Sequence, residues 1–264
     1  MPASPQPAAR QPAASPRPVL LGSLRAEVER DGRTPGLLES WGESTVIEED
    51  SAVPVLERAA FERLHEWAGI EAEWPRGHAG LVHVYGYLVS ETDTRFGLKG
   101  ERWTGGGVAR ALDRPEREFL PGVADGSTML SRITGALLPV LAHPEADGGG
   151  IGTGAGTGSG TGPTDGGARI EACVDDLIGD SPGGAMRTVL IRGSDGDRAI
   201  VYGRVLAGEV RLITAFPLAP ASVDTVIETL LAASPRLRYN AVLPGLAERS
   251  ALSARRVILP HDGP

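Results

Sequence analysis

"GGGIGTGAGTGSGTGPTDGG", residues 148–167, constrains this chain more than any other stretch. Eleven of its 20 residues are glycine, and most of the others are Thr, Ser and Ala. Such a segment has too little apolar surface to offset the entropy of ordering it. As a flexible coil of that length it spans roughly 25 Å. Its G-x-G spacings have neither a strand before them nor a helix after them, so it reads as a linker rather than a phosphate-cradling loop. It divides the 264 residues into a Pro-rich leader, 1–18, read as disordered, an N-terminal lobe, 19–147, and a C-terminal lobe, 168–264.

Charge limits the partners. The net charge is −8. Residues 1–147 carry 15 basic against 22 acidic groups, whereas residues 168–264 carry 11 of each. Neither part has the basic excess that drives phosphate-backbone binding, so nucleic acid is not expected as the main partner. No run approaches the ~18 apolar residues of a membrane helix, and the leader lacks an apolar stretch of signal-peptide length. Cys173 is the only cysteine, which excludes an intrachain disulfide and suits a reducing, cytoplasmic setting. Of 26 basic residues only Lys99 is a lysine. That is the arginine bias of high-GC coding, as in actinobacteria, and it singles Lys99 out.

Periodicity predicts an α+β protein: two lobes joined by the Gly-rich tether, each an antiparallel sheet covered by helices. Leucines and a valine recur at helical spacing over 20–30, and the apolar stripe Leu56, Ala60, Phe61, Leu64, Ala68 predicts a helix from Pro54 to Ala68. A short strand is expected at 44–48. Residues 81–90 alternate like a strand, with 96–104 as its hairpin partner. Ser127 is the expected N-cap of a helix that Pro139 bends or ends. In the C-terminal lobe 170–178 reads as a helix that contains Cys173, with Asp175 and Asp176 pointing apart. Residues 188–192, 199–206 and 210–216 read as an antiparallel meander ended by Pro217. Ser222 caps a helix carrying Val223, Val226, Ile227, Leu230 and Leu231.

The stretch "VYGRVLAGEVRLITAFPL" resembles the closing strands of the barnase/colicin/RelE-like ribonuclease fold. In that group an antiparallel sheet presents Arg, Tyr, Thr or His to RNA. The resemblance implies Tyr202, Arg204, Arg211 and Thr214 as binding residues, although the meander holds no histidine. No family resemblance is found for the N-terminal lobe.

The candidate chemistry lies upstream, in "GLVHVYGYLVSETDTRFGLKGERW". On a strand, His83, Tyr85 and Tyr87 share one face, with Val82, Val84 and Leu88 opposite. Imidazole suits general-base work near neutral pH, and phenols donate hydrogen bonds. Lys99 can lose its proton when desolvated. Glu101, Arg102 and Trp103 complete the candidate substrate-binding set. The five histidines and Cys173 match no zinc spacing, so neither metal nor cofactor is expected. These residues predict a cofactor-independent enzyme of specialised metabolism. It would act by general acid/base chemistry on a small polar or carboxylate-bearing metabolite. A ribonuclease-like RNA-binding domain and a non-catalytic partner-binding protein are the alternatives.

Overall fold

A computed structural model describes residues 17–49, 51–94, 97–123, 126–144, 168–179, 183–232, 234–243 and 252–258. The leader up to residue 16, the Gly-rich segment 148–167 and the residues beyond 258 lie outside the described residues. In chain order the first part forms α1 (Arg17–Asp31), β1 (Glu43–Thr45), α2 (Arg58–Ala68) and β2 (Arg76–His78). A helix over residues 79–88 and a short hairpin, β3 (Asp93–Thr94) and β4 (Gly97–Leu98), follow. Then come α3 (Glu101–Thr104), α4 (Gly107–Ala111) and α5 (Met129–Ala142). The second part forms β5 (Arg169–Ile178), β6 (Ala185–Arg192), β7 (Arg198–Leu206), β8 (Glu209–Leu218), α6 (Val223–Ala232), β9 (Ala241–Val242) and β10 (Leu252–Ile258). The fold is α+β with antiparallel sheets.

The main sheet has the order β10-β5-β6-β7-β8, antiparallel throughout. Its strands alternate as period two requires. Leu190, Ile200 and Phe216 face Val223 and Leu230 of α6. Val189, Ile191, Val201 and Ala215 face the larger core, which holds Ile133, Leu137 and Leu141 of α5. Each such fully buried aliphatic side chain contributes about 1.5–3 kcal/mol. The sheet breaks register once between β7 and β8, at Tyr202/Gly203. A Cβ on Gly203 would lie 2.2 Å from Leu141 Cδ2 and 2.4 Å from the Arg211 carbonyl oxygen. Only glycine lets α5 sit this close.

One core takes residues from both sides of the Gly-rich segment. Leu24, Phe61 and Leu137 pack in the same cluster as Cys173, Val189 and Leu212. Strand β9, from the second part, pairs with β1, from the first, in the small sheet β2-β1-β9.

Several expectations need correction. Residues 79–88 are helical, with π-type hydrogen bonding over Leu81–Gly86, and not a strand. Alternation implies a strand only where one face meets water. Leu81–Gly86 is buried on every side, and a helix apolar or internally satisfied all round is a core helix. Residues 170–178 are strand β5, not a helix. Their i, i+3, i+4 pattern arose because both faces of β5 are covered, so apolar residues fall on each. Cys173 is therefore a buried strand residue. The expected strand 96–104 shrinks to β4, and the chain then turns into α3. Helix α2 starts at Arg58, because Pro54 is engaged in a bridge to Ile47. The α5 N-cap is Thr128, which closes a capping box with Ser131. The helix continues through Pro139. Strand β8 likewise runs past Pro217, which an edge strand tolerates because its missing N–H breaks no inner ladder.

Candidate functional site

Helical geometry regroups the nominated side chains. Four residues apart, His83 and Tyr87 come onto one side of their helix, with ring centroids 4.7 Å apart and edge to face. Tyr85 leaves the group. It points toward α1, where its hydroxyl donates to the Asp31 carboxylate at 2.5 Å. Thr128 Oγ1 donates to the other Asp31 oxygen at 2.5 Å. Burial pushes the Asp31 carboxyl up to about 6, against the pull of these two donors. Tyr85 thus belongs to a buried structural network rather than to a site.

The segment after β4 brings the cations in. A Cβ on Gly100 would lie 2.8 Å from the Ser90 carbonyl oxygen, so glycine is needed at the corner between Lys99 and α3. Lys99 Nζ lies 2.8 Å from Glu48 Oε2. That contact is a charge pair whose angles fall outside hydrogen-bond geometry, and Oε2 accepts no hydrogen bond. The Arg102 guanidinium carbon sits 4.5 Å from the centroid of the Tyr87 ring and 5.5 Å from that of Phe216. Nη1 donates to Thr214 Oγ1 at 2.6 Å. Strand alternation puts Thr214 and Phe216 on the same face of β8.

These groups line a small pocket, about 350 Å³ when the open solvent at its mouth is counted with it. His83, Tyr87, Lys99, Arg102 and Thr214 were expected from sequence; Glu48, Glu49, Phe216, Tyr239 and Asn240 were not. Tyr239 and Asn240 have φ of 56° and 63°. Two successive left-handed residues, one of them tyrosine, form a strained turn at the cavity wall.

Burial first, then the charges of Arg102 and Lys99, hold the His83 imidazole well below its usual range. His83 is therefore neutral at physiological pH. Burial also pushes the Tyr87 phenol up to about 12, opposed by Arg102 and supported by Glu48. Tyr87 therefore keeps its proton. Burial lowers Arg102 as well, yet a guanidinium remains charged. Among the described residues Arg102 has no carboxylate within 4.0 Å. Among the described residues, buried His83 Nδ1 has no hydrogen-bond partner, and the buried Tyr87 hydroxyl has only the Asn240 side chain beside it.

The other nominated residues lie elsewhere. Glu101 is exposed in the first turn of α3. Trp103 is buried and donates Nε1 to the His83 carbonyl at 2.8 Å, which anchors the backbone behind the site. Tyr202 is buried on β7 and its hydroxyl accepts from the Arg238 backbone N–H. Arg204 and Arg211 face each other across β7 and β8 and line a separate groove beside Trp41 and His78. The four residues implied by the ribonuclease resemblance are thus split between three places: Thr214 in the cavity, Arg204 and Arg211 in the groove, and Tyr202 in the core. Asp175 and Asp176, buried on opposite faces of β5, are taken up by Arg187 and Arg256, and by Arg255, respectively. Among the described residues no three His, Cys, Asp or Glu come together to hold a metal. No described helix is long and apolar enough to cross a membrane.

Glu48 had a legible signal, since a lone lysine needs a carboxylate and "IEED" supplies several. Tyr239 and Asn240 had none, because their role depends on backbone angles. No protein-family model, no curated protein and no solved structure matches this chain.

Proposed function

We propose that the protein is a cofactor-independent enzyme that binds a small carboxylate-bearing metabolite in this cavity and moves a proton on it. The observation that carries the reading is Arg102. It is 7% exposed, held between two aromatic rings and without a carboxylate partner among the described residues. A buried guanidinium whose charge is not offset invites an anion, and its fork matches a carboxylate. Lys99, facing the Tyr87 ring at 5.1 Å, adds a second cation.

The remaining groups then have roles. Neutral His83 offers Nδ1 as a proton acceptor and can return the proton from the same atom. The Tyr87 hydroxyl, still protonated at neutral pH, donates to oxygen that gains negative charge during transfer. Thr214 holds Arg102 in place.

Calorimetry of the full chain against small carboxylates tests the binding step, with expected loss of at least tenfold affinity in Arg102→Met. Deuterium wash-in beside the carboxylate of a bound acid tests the proton step. It should vanish in His83→Gln. Unchanged carboxylate affinity in Arg102→Met, with the variant folded, overturns the proposal.

A further inference from the structure

The way His83 is held narrows the ligand, on the premise that the cavity is a carboxylate site. Ser44 has one hydroxyl proton and two neighbours, the Thr45 carbonyl at 3.1 Å, which only accepts, and His83 Nε2 at 2.8 Å. Both contacts are hydrogen bonds only when Ser44 donates to the carbonyl. The Ser44 oxygen is then left to accept, so His83 Nε2 carries the imidazole proton. Nδ1 is then the nitrogen with the lone pair. It is buried and has no partner among the described residues. Ser44 does not line the cavity and His83 does, so the Nε2 edge of the ring is turned into the protein.

A buried acceptor without a donor carries its full desolvation penalty, which a ligand able to donate relieves. Glu48 and Glu49 also line the cavity, but the charges that act on His83 are those of Arg102 and Lys99, which favours a neutral hydroxyl over an ammonium as that donor. Size adds a limit, because these side chains close in on the space and leave no room for an aryl group.

We infer that the site takes a short 2-hydroxy acid, its carboxylate on Arg102 and Lys99 and its hydroxyl donating to His83 Nδ1. Ser44, which sets the tautomer, is a positioning residue.

Calorimetry on the full chain at fixed ionic strength, with glycolate, lactate, acetate, pyruvate, glycine and mandelate, provides the test. Glycolate or lactate should bind at least tenfold more tightly than acetate, pyruvate, glycine and mandelate. In ¹⁵N NMR of the unliganded protein, His83 should be the Nε2–H tautomer, and its Nδ1 resonance should move when glycolate binds. Ser44→Ala, by freeing the tautomer, should erase the preference for glycolate over acetate while keeping acetate affinity. Equal affinity for acetate and glycolate overturns this inference and leaves the carboxylate site standing. So does an Nδ1–H tautomer, or tighter binding of glycine or mandelate. If none of the acids binds the folded wild-type chain, both readings fall.

Discussion

At the residue scale, several ionisable side chains are buried in one protonation state. His65, His78 and His83 are all held below the ordinary imidazole range, chiefly by burial, His78 at about 4. A folded state that resists protonation while the unfolded chain accepts it loses stability as pH falls. These histidines therefore contribute stability that is complete above about pH 6.5 and is lost as pH falls toward 4. For His78, whose Nε2 donates to the Leu38 carbonyl, the loss amounts to about 3 kcal/mol. Urea unfolding between pH 7 and 4 should show that decline, and His78→Gln should flatten much of it. Asp31 has the opposite sign. Its carboxyl, raised to about 6, favours the folded state when protonated, and that contribution fades as pH rises through 6. Asp31→Asn should therefore stabilise the protein at pH 7, by only about 1 kcal/mol, because the amide keeps only one of the two acceptor oxygens that Tyr85 and Thr128 use. A fall in melting temperature at pH 7 would contradict this.

Elements carry the next level of argument. Strand β10 is an edge strand fastened by charge. Arg255 stands opposite Asp176, and Arg256 opposite Asp175. The two pairs are unequal. Arg255 reaches both Asp176 oxygens, at 2.5 and 2.9 Å, and its own side chain is buried. Asp175 already has Arg187 on both oxygens, while Arg256 is 59% exposed. Removing one partner of a buried pair costs about 3–5 kcal/mol, and exposed pairs contribute under about 1 kcal/mol. Urea titration should show Arg255→Ala losing several times as much stability as Arg256→Ala. Equal losses would mean that the clamp is not set by burial. In the helix over 79–88, deleting one residue from the π-type segment should restore α geometry and turn Tyr87 about 100° away from its partners. Such a chain should fold and lose carboxylate binding.

The whole molecule depends on the shared core. Helix α5 packs on β6, β7 and β8, and β9 completes the sheet that β1 begins. Residues 1–147 and 168–264 made separately should each fail to melt cooperatively, and co-expression should restore one cooperative unit. A cooperative transition in either piece alone would show that the lobes are autonomous.

The sequence by itself determined the α+β class, the meander β6–β8 and helices α1, α2, α5 and α6. In the helices one face meets the core and the other does not, so the apolar period reports the element; the meander, covered on both faces, was legible from the short turns between its strands. It also singled out His83, Tyr87, Lys99, Arg102 and Thr214, because their chemistry is unusual for where they stand. It placed four of them on strands that do not reach them: Lys99 and Arg102 lie beyond β4, and alternation read 81–90 as a strand, which put Tyr85 beside His83 and hid the i, i+4 pairing with Tyr87. Only the tertiary structure decided which polar groups meet. Where every face is covered, as in 81–86 and 170–178, hydrophobic period loses its meaning, and long-range contacts from β1, α3 and β8 choose the partners.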